Sequence, residues 1–515
     1  MTDWTAGYVA DITYTYGYYP ELNPLRLRLA LLHEGLVPPQ VGTACELGFG
    51  QGMSINLHAA GSAVQWYGTD FNPAQAGFAQ ELAAASGAGA KLYDDAFADF
   101  ANRADLPDFD YIGLHGIWSW ISDDNRRVIV DFIRRKLKVG GVLYISYNTQ
   151  PGWAAMVPLR ELLTEHARVL GADGVGIVSR IDAALHFAEQ LLAANPAYAR
   201  ANPQIAERLK RIKEQNRHYL AHEYFNRDWH PMSVARMGEW LGSAKLTWAC
   251  SANTLDAIDA IHLSAEQQRL LATIPDPMVR QLVRDFCVNQ QFRRDYWVKG
   301  ARRLSALEQM EALRDERVVL VQPRADVALK VTGSLGEAAL QEAIYTPILD
   351  QLADHKPKTL GQLETALQAS ASGQAITFGQ LLQAVLVLMG NGALAPAQDE
   401  AHSAKAKKVT ERLNAHLMLK SRGSSDIGYL ASPVTAGGVG APRFHQLFVL
   451  AKQQGHKTPP DWANFVWQLL AAQGQRLIKE GQALQTPEEN LAELSTQAQT
   501  FAEKHLPLWK ALQVA

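Results

Sequence analysis

The chain has 515 residues, of which 47% are hydrophobic and 20% are charged, and its formal net charge is −3. This composition is ordinary for a globular protein, and a length of about 150 residues per domain predicts three or four domains. A net charge near zero argues against a broad nucleic-acid-binding surface, and three widely spaced cysteines form neither a disulfide framework nor a metal-ligand pattern.

No segment resembles a targeting signal or a membrane span. The N-terminus has acidic residues and tyrosines where a secretory signal would have a basic stretch followed by an apolar one. The longest apolar run, 381–389, is too short to cross a bilayer. Because the few cysteines also suit a reducing compartment, we expect a cytoplasmic protein that is not inserted in a membrane.

Five tyrosines lie in the segment 8–20, near the N-terminus. One interpretation is an aromatic arm that covers the edge of a core. The other is a lid over a bound ligand, since a tyrosine buries a flat face and keeps a hydroxyl group for hydrogen bonding. In the second interpretation Tyr16 and Tyr19 contact the ligand. The pair Asn23–Pro24 then predicts the start of a helix over 25–34.

The stretch 44–52 predicts a short buried strand that turns into a helix. It contains Gly48, Gly50 and Gly52 at alternate positions. Without a Cβ atom these residues allow a sharp bend and a close approach of the backbone to a ligand. The free N–H groups of the following helix suit a carboxylate or another anionic group.

The glycine spacing separates two kinds of nucleotide-binding loop. A dinucleotide fingerprint would need glycine at position 53, where the chain has Met53. Together with Glu46, two residues before the first glycine, the loop has the pattern Glu-x-Gly-x-Gly-x-Gly. This pattern resembles motif I of the S-adenosylmethionine (SAM)-dependent methyltransferases. The resemblance implies that the loop holds the amino acid end of SAM and that Glu46 lies near its ammonium group.

The segment 64–70 predicts a second strand that ends in an acid. A carboxylate at this edge of a parallel sheet can accept both ribose hydroxyl groups of a nucleoside. The alternative role for Asp70 is the N-cap of the next helix. Because Asn72, directly before Pro73, can fill that role, we assign Asp70 to the ribose.

Two further strands are predicted to end near the same ligand. Asp95 and Ala96 follow the short strand 91–93 and resemble the methyltransferase position beside the adenine amino group. The strand 109–116 carries His115 to the edge where ligands of such sheets bind. For His115 the roles of a general base and of a packed histidine both stay open.

A fifth strand, 142–146, follows a predicted helix over 124–137. Five strands that alternate with helices predict a doubly wound α/β sheet of the Rossmann-like type. Motif order and spacing therefore favour SAM as the cofactor. Tyr147 and Asn148 come directly after the fifth strand, and we expect them to hold the methyl acceptor together with His115.

The chain then becomes helical over 156–228, and a later strand over 244–250 is predicted to complete the sheet. The helical segment is therefore interpreted as an insertion that overhangs the active site. His218 and His222 share one helical face, a spacing that can bind zinc. Because no third ligand accompanies them, packing or substrate contact is favoured, and no metal is expected.

Two segments, 219–224 and 284–300, carry a second resemblance. The latter alone would predict a solvated helix face. Together with 430–435 and 474–477, the two resemble bacterial proteins in which a methyltransferase regulatory domain follows a SAM-binding module. The best-described members are lysine methyltransferases that act on outer-membrane proteins.

The resemblance implies a SAM-dependent methyltransferase that N-methylates lysine side chains of a protein substrate, such as an outer-membrane or surface protein. Two alternatives stay open: a methyltransferase for a small molecule or a surface polysaccharide, and a non-enzymatic SAM-binding interaction protein. Whether the chain forms a homodimer is also open. The residues assigned to the cofactor are Glu46, Gly48, Gly50, Gly52, Asp70, Asp95, Ala96, His115, Tyr16 and Tyr19.

Three short helices in the segment 336–400 give a winged-helix-like outline. The third helix, 377–389, lacks lysine and arginine, so DNA binding is not expected. The charged stretch 400–408 is interpreted as a linker. The predicted domains are a methyltransferase domain over 1–255, a mostly helical regulatory domain over 256–335, the winged-helix-like unit over 336–400 and a helical C-terminal domain over 401–515.

Overall fold

The computed structural model describes residues 7–8, 14–171, 174–369 and 376–515. Part of the tyrosine-rich arm, residues 9–13, lies outside the described residues. No helix in the described ranges is both long enough and apolar enough to pass through a bilayer.

The N-terminal half alternates strands and helices as predicted. The parallel strands are β1 (Thr43–Leu47), β2 (Gln65–Thr69), β3 (Lys91–Tyr93), β4 (Phe109–Leu114) and β5 (Leu137–Asn148). The helices are α1 (Pro24–His33), α2 (Met53–Gly61), α3 (Pro73–Ser86), α4 (Phe97–Ala101) and α5 (Asp123–Lys136). Asn23 and Asn72 cap α1 and α3 through their side-chain oxygens, each with proline at the first helical position.

The insertion is helical, as predicted. It consists of α6 (Val157–Val169), α7 (Ile177–Ala193), α8 (Ala197–Ala201), α9 (Gln204–Glu214) and α10 (Arg217–Tyr224). These helices bury a small core of their own around Leu163, Leu185 and Leu209. The chain then returns to the sheet.

The next elements are α11 (Val234–Gly242), β6 (Leu246–Ser251), α12 (Asp259–His262), α13 (Ala265–Ala272), α14 (Pro277–Val288) and β7 (Phe292–Lys299). The completed sheet has seven strands in the order β3-β2-β1-β4-β5-β7-β6, with β7 antiparallel to both neighbours. The predicted Rossmann-like fold and the late strand are thus confirmed.

The interpretation of 284–300 as a solvated helix face is wrong for its second half. Residues 292–299 form β7, in the sheet between β5 and β6, so the sheet also extends past the predicted domain boundary at 255. The charged residues of this strand are paired inside the protein. Arg293 contacts Asp295 at 2.8 Å and also bonds Asp285, so the buried guanidinium group is paired with two buried carboxyl groups.

The middle unit contains the three predicted helices and a small sheet. Its elements are α15 (Ala306–Asp315), β8 (Arg317–Leu320), β9 (Lys330–Gly333), β10 (Gly336–Ala339), α16 (Glu342–Gln351), β11 (Lys358–Thr359), α17 (Leu360–Ala369), α18 (Phe378–Gly390) and β12 (Leu394–Ala397). Strand β8 is the centre of the sheet β11-β8-β12. The predicted start of this unit at 336 is therefore too late, because its central strand begins at Arg317.

The C-terminal unit comprises α19 (Glu400–Lys420), β13 (Tyr429–Ser432), β14 (Gly437–Gly440), α20 (Arg443–Gln453), α21 (Pro459–Ala472), β15 (Ile478–Lys479), β16 (Gln482–Ala483), α22 (Pro487–Thr500) and α23 (Leu506–Ala511), with a π-helical turn over Phe501–His505. The predicted linker 400–408 is wrong. This stretch is the first part of α19, which Asp399 caps by accepting the N–H of His402.

The C-terminal unit packs on the helix that follows the glycine-rich loop. Met53, Leu57 and Ala60 of α2 belong to the same buried cluster as the C-terminal helices. A Cβ atom on Gly61 would lie 2.8 Å from the backbone carbon of Ala436, so the two segments are in direct backbone contact. Helix α2 is thus held between the sheet and the C-terminal unit, which fixes the position of the loop at its N-terminus.

Candidate active site

A cavity opens at the carboxyl ends of β1, β2 and β4, where open α/β sheets bind their ligands. It has about 860 Å³ of empty space, part of it open to solvent. Glu46, Asp70 and His115 reach it from these three strands. Gly48 and Gly50 also line it, whereas Gly52 does not and packs against Ala79 of α3. The structure therefore brings together most of the residues that the sequence assigned to a cofactor.

The loop glycines have the backbone conformation that their sequence pattern predicts. Gly48, Gly50 and Gly52 have φ angles of 69°, 57° and 68°, in the left-handed region that other residues adopt rarely. Added Cβ atoms would also lie 2.4 Å from the side chain of Ile117 at Gly48 and 2.4 Å from that of Ala79 at Gly52. Glycine is thus required both for the turn and for the close packing.

Glu46 is a buried carboxyl group that lacks a partner. Its side chain is 3% exposed, and its Oε2 atom has no hydrogen-bond partner among the described residues. Burial, with a smaller contribution from the nearby Asp70, raises its pKa to about 8. A cation bound beside Glu46 would supply the missing hydrogen bond and restore the charged form.

Asp70 is positioned by two backbone N–H groups. Gly50 donates to its Oδ2 atom at 2.8 Å and Asn72 donates to its Oδ1 atom at 3.0 Å. Burial raises the pKa of Asp70 to about 6, although these two hydrogen bonds lower it in part. Asn72, not Asp70, caps α3. The carboxylate therefore ties the glycine loop to the end of β2 and faces the cavity.

An apolar slot forms another part of the cavity. Its walls are Phe71, Phe97, Ile117 and Ile121, a set that suits a flat aromatic ring. None of these four residues was predicted from the sequence to contact a ligand. One local indication was present, because Phe71 directly follows Asp70, the acid at the end of β2.

The structure does not bring Asp95 and Ala96 to the cavity lining. The Asp95 carboxylate pairs with Arg103 at 2.9 Å, and its backbone oxygen accepts a hydrogen bond from the Thr69 hydroxyl group. Ala96 occupies the N-cap position of α4. The predicted contact of the Asp95 side chain with the cofactor is therefore replaced by an ion pair with Arg103 outside the cavity.

The tyrosine-rich arm and α10 form the wall opposite the sheet. Tyr8, Tyr14 and Tyr19 line the cavity, as do His222 and Glu223 from the insertion. The ring of His222 lies 4.9 Å from that of Tyr14 and 5.3 Å from that of Tyr8. No group of three potential metal ligands occurs among the described residues.

Tyr16 lies away from this wall. Its ring packs edge-on against Phe78 of α3 at 5.1 Å, and it does not line the cavity. Tyr14, only two residues away, does line the cavity, so the arm does not follow the regular alternation of a strand. The arm therefore combines the two interpretations of the sequence, since part of it covers the core and part faces the cavity.

His115 lies where the cavity meets a second, larger space. Its ring stacks on that of Tyr19, with 3.5 Å between the centroids, and its Nδ1 atom lies 2.8 Å from the Tyr144 hydroxyl group. Burial lowers the pKa of His115 to about 4, although the nearby Glu21 opposes this shift. The imidazole is therefore neutral at physiological pH and accepts protons only weakly.

Tyr147 and Asn148 are not part of the cavity lining. The Tyr147 hydroxyl group donates to Asp295 at 2.8 Å, within the core between β5 and β7. The backbone of Asn148 bonds to the hydroxyl group of Ser119 and to the N–H of Met232. The structure therefore gives both residues contacts that hold the sheet together.

The second space is a cleft of about 2020 Å³, open to solvent, between the sheet, the middle unit and the C-terminal unit. It shares Tyr19 and His115 with the cavity. Glu21 lines the cleft near this junction and pairs with Arg294 at 2.6 Å. Tyr19 and His115 therefore form the junction of the two spaces, which is the stretch of wall that both share.

Known proteins share both the sequence and the architecture of this chain. A family model described as "Predicted methyltransferase regulatory domain" matches residues 216–299, from α10 to β7. An uncharacterized protein of Synechocystis sp. is 42% identical over 99% of this chain and 100% of its own length.

Two solved structures share the fold over nearly the whole length. The structure of PKMT2 from Rickettsia typhi in complex with AdoHcy covers 96% of this chain and 98% of its own, with a TM-score of 0.66 and 16% identity. A second structure of PKMT2 from Rickettsia typhi covers 98% of this chain and 99% of its own, also with a TM-score of 0.66 and 16% identity. At this identity the comparison establishes the arrangement of all units, and the activity must be argued from the site.

Proposed function

The chain belongs to the bacterial family in which a SAM-dependent methyltransferase fold is joined to a methyltransferase regulatory domain, and we propose that it N-methylates lysine side chains of a protein. The observation that supports this proposal is the junction of two spaces at Tyr19 and His115. One space fits a cationic nucleoside, and the other fits a chain-like acceptor.

The residues of the cavity fit SAM group by group. Glu46 has an unbonded buried oxygen for the ammonium group, and the N-terminus of α2 offers N–H groups to the carboxylate. Asp70 is placed for the ribose hydroxyl groups, and the slot beside Phe71 and Phe97 suits the adenine ring. Bound SAM supplies an electrophilic methyl group.

The cleft favours a macromolecular acceptor over a small molecule. Sites for small ligands are usually enclosed and bury most of the ligand surface, whereas this cleft is open to solvent. Its walls come from three units, so a polypeptide segment would contact the middle and C-terminal units while one side chain reaches the junction. The long, flexible side chain of lysine suits such a path.

The junction also suits the chemistry of an amine. Tyr19 and the neutral His115 offer aromatic faces to a cation and exclude water from it. Desolvation lowers the pKa of an ammonium group and so favours the neutral nucleophile. Positioning and removal of water are the main contributions that a methyl transfer needs from the protein.

Label transfer tests this proposal. The protein is incubated with SAM that carries tritium in its methyl group and with a lysate of cells that lack the gene. The products are then separated into proteins, glycans and small molecules, and the proteins are hydrolysed to amino acids. We expect tritium in N-methylated lysine. Tritium only in glycans or small molecules would contradict the protein-lysine proposal, and no transfer at all would contradict methyltransferase activity.

Two matched variants serve as controls for this assay. Asp70→Asn removes a charge inside the cavity, and Asp95→Asn removes a charge outside it. Transfer should fall in the first variant and stay near the wild-type rate in the second. Equal rates would show that the label does not pass through this cavity.

A further inference from the structure

The cofactor cavity contains three carboxyl groups, and the proposed function uses only two of them. Glu46 and Asp70 face the ammonium group and the ribose, whereas Glu223 has no assigned role. Of the described residues that line the cavity, none is lysine or arginine, and no described ion pair includes Glu223. A partly buried carboxylate without a basic partner is a site for a cation or a proton.

Two hydrogen bonds fix Glu223 in the cavity wall. Its backbone oxygen accepts the indole N–H of Trp120 at 3.2 Å, which ties α10 to the turn after β4. Its Oε1 atom accepts the hydroxyl group of Tyr14 at 3.2 Å. The insertion thus carries a carboxylate to the cavity, and the N-terminal arm contacts that carboxylate directly.

Tyr14 also connects Glu223 to the junction with the cleft. Burial raises the pKa of Tyr19 and the nearby Glu223 raises it further, whereas a hydrogen bond with Tyr14 lowers it. Tyr14 and Tyr19 both line the cavity, where Tyr14 bonds Glu223 and the Tyr19 ring stacks on His115. The Tyr14 hydroxyl group therefore lies on the cavity wall between Glu223 and a bound ligand.

We propose that Glu223 takes up the proton that the acceptor amine must lose, with the Tyr14 hydroxyl group as the relay. This inference rests on the proposed amine acceptor. The N–H bond of the ammonium group breaks, and its proton passes to the Tyr14 oxygen as the proton of that hydroxyl moves to Glu223 Oε1. The positively charged ammonium group thus becomes a neutral amine and the negatively charged Glu223 becomes a neutral carboxyl group, and no other reactant is needed.

The surroundings of Glu223 support this role. Burial raises its pKa to about 7, so it accepts and releases protons near neutral pH. The titratable groups around it are those of Tyr8, Tyr14, Tyr19, Tyr219 and His222 on its own side, and those of Glu46, Asp70 and His115 across the cavity. Because the pKa of His115 is lowered to about 4, that imidazole is a much weaker proton acceptor.

A pair of cofactor analogues tests the inference without a known acceptor. Sinefungin carries an amine at the position where SAM carries its methyl group, whereas AdoHcy has an uncharged thioether there. Both share the amino acid end and the nucleoside, so the ratio of their affinities cancels the contributions of Glu46 and Asp70. The ratio is measured by calorimetry at pH 6 and pH 8 in the wild type and in Glu223→Gln, which keeps an oxygen for Tyr14.

At pH 8 we expect the wild type to favour sinefungin at least tenfold more strongly than the variant does, with AdoHcy affinity nearly unchanged. At pH 6, where Glu223 is mostly protonated, the two proteins should converge. An equal ratio in both proteins at pH 8 would overturn the role of Glu223. If neither analogue binds the wild type, the proposed cofactor site itself is refuted.

The tritium assay gives a second, kinetic readout. Wild-type transfer should rise with pH and level off above about 7, because the proton acceptor must be ionised. Glu223→Gln should lose this inflection and be at least tenfold slower at pH 8, while its affinity for AdoHcy stays near that of the wild type. A variant that keeps the wild-type pH profile would show that Glu223 only supports the arm.

Discussion

Removing the charge of Glu46 should change both the affinity for SAM and the protons released when SAM binds. In the free protein the pKa of Glu46 is about 8, so about 90% of this residue is protonated at pH 7. The ammonium group of SAM requires the carboxylate. Binding should therefore release about 0.9 proton from Glu46 at pH 7 and only about 0.1 at pH 9.

Calorimetry in two buffers with different ionisation enthalpies measures this release. Glu46→Gln keeps the shape of the side chain but has no proton to lose, so it should release about one proton fewer than the wild type at pH 7. A hydrogen bond to a charged group contributes about 1.5–3 kcal/mol, so the variant should bind SAM about 10- to 100-fold more weakly at pH 8.5. Equal proton release and affinities within twofold would refute the assignment of Glu46.

The same substitution should stabilise the free protein at high pH. The pKa of Glu46 rises from its ordinary value of 4.5 to about 8 on folding, so the folded state binds more protons and its stability falls as pH rises between these values. At 1.36 kcal/mol for each pH unit the full loss is about 5 kcal/mol. Without SAM, Glu46→Gln should therefore melt at a higher temperature than the wild type at pH 8.5 and at a similar temperature at pH 4.5.

Four further substitutions test other parts of the structure. Asp70→Asn should weaken SAM binding about 10-fold or more in calorimetry, whereas Asp95→Asn, whose carboxylate is paired outside the cavity, should change it less than twofold. Tyr147→Phe should cost about 1 kcal/mol in denaturant unfolding and leave methyl transfer nearly unchanged, because its hydroxyl group faces a buried aspartate. Gly61→Ala should lower the thermal midpoint and weaken SAM binding, because the new methyl group would collide with Ala436.

Each of these expectations has a contrary outcome. A comparable loss of affinity in Asp95→Asn would place that side chain in the cofactor site. A large fall in turnover for Tyr147→Phe, with normal stability, would restore its predicted role at the acceptor. A Gly61→Ala protein that melts and binds SAM like the wild type would show that the C-terminal unit does not position the loop.

Local patterns in the sequence predicted the first half of the sheet and the cofactor loop. The alternating glycines require a left-handed backbone at Gly48, Gly50 and Gly52, so that the turn follows from the residue types themselves. The pair Asn72–Pro73 likewise fixes a helix start within a few residues. The position of Asp70 follows from this turn and this cap, because one helix and one short strand, α2 and β2, separate it from the loop.

Long-range partners decide the parts that the sequence did not predict. Arg293 and Asp295 of β7 can be buried because Arg293 forms ion pairs with Asp295 and Asp285. A charge-dense stretch of sequence, taken alone, predicts a solvated surface instead. The stretch 400–408 has the composition of a linker, yet alanine and lysine are also strong helix formers, and α19 packs against α2 and α3.

Strand alternation explains the error at Tyr147. Strand β5 continues to Asn148, two residues beyond the predicted end, so alternate side chains still point to opposite faces. Tyr144 and Ser146 face the site, where the Tyr144 hydroxyl group bonds His115 and the Ser146 hydroxyl group accepts the N–H of Gly116. Tyr147 points to the opposite face of the strand, into the core. Glu223 was missed because nothing local in the sequence indicates that α10, far along the chain, lines the same cavity as the glycine loop.

The most direct measurement is a crystal structure of the protein grown with AdoHcy. We expect the ligand to lie across the carboxyl ends of β1 and β2, with its amino group within about 3.2 Å of Glu46 Oε2 and its ribose hydroxyl groups bonded to Asp70. Its sulfur should face the junction of Tyr19 and His115. A ligand bound elsewhere, or a cavity closed by side chains in crystals soaked at saturating AdoHcy, would contradict this placement.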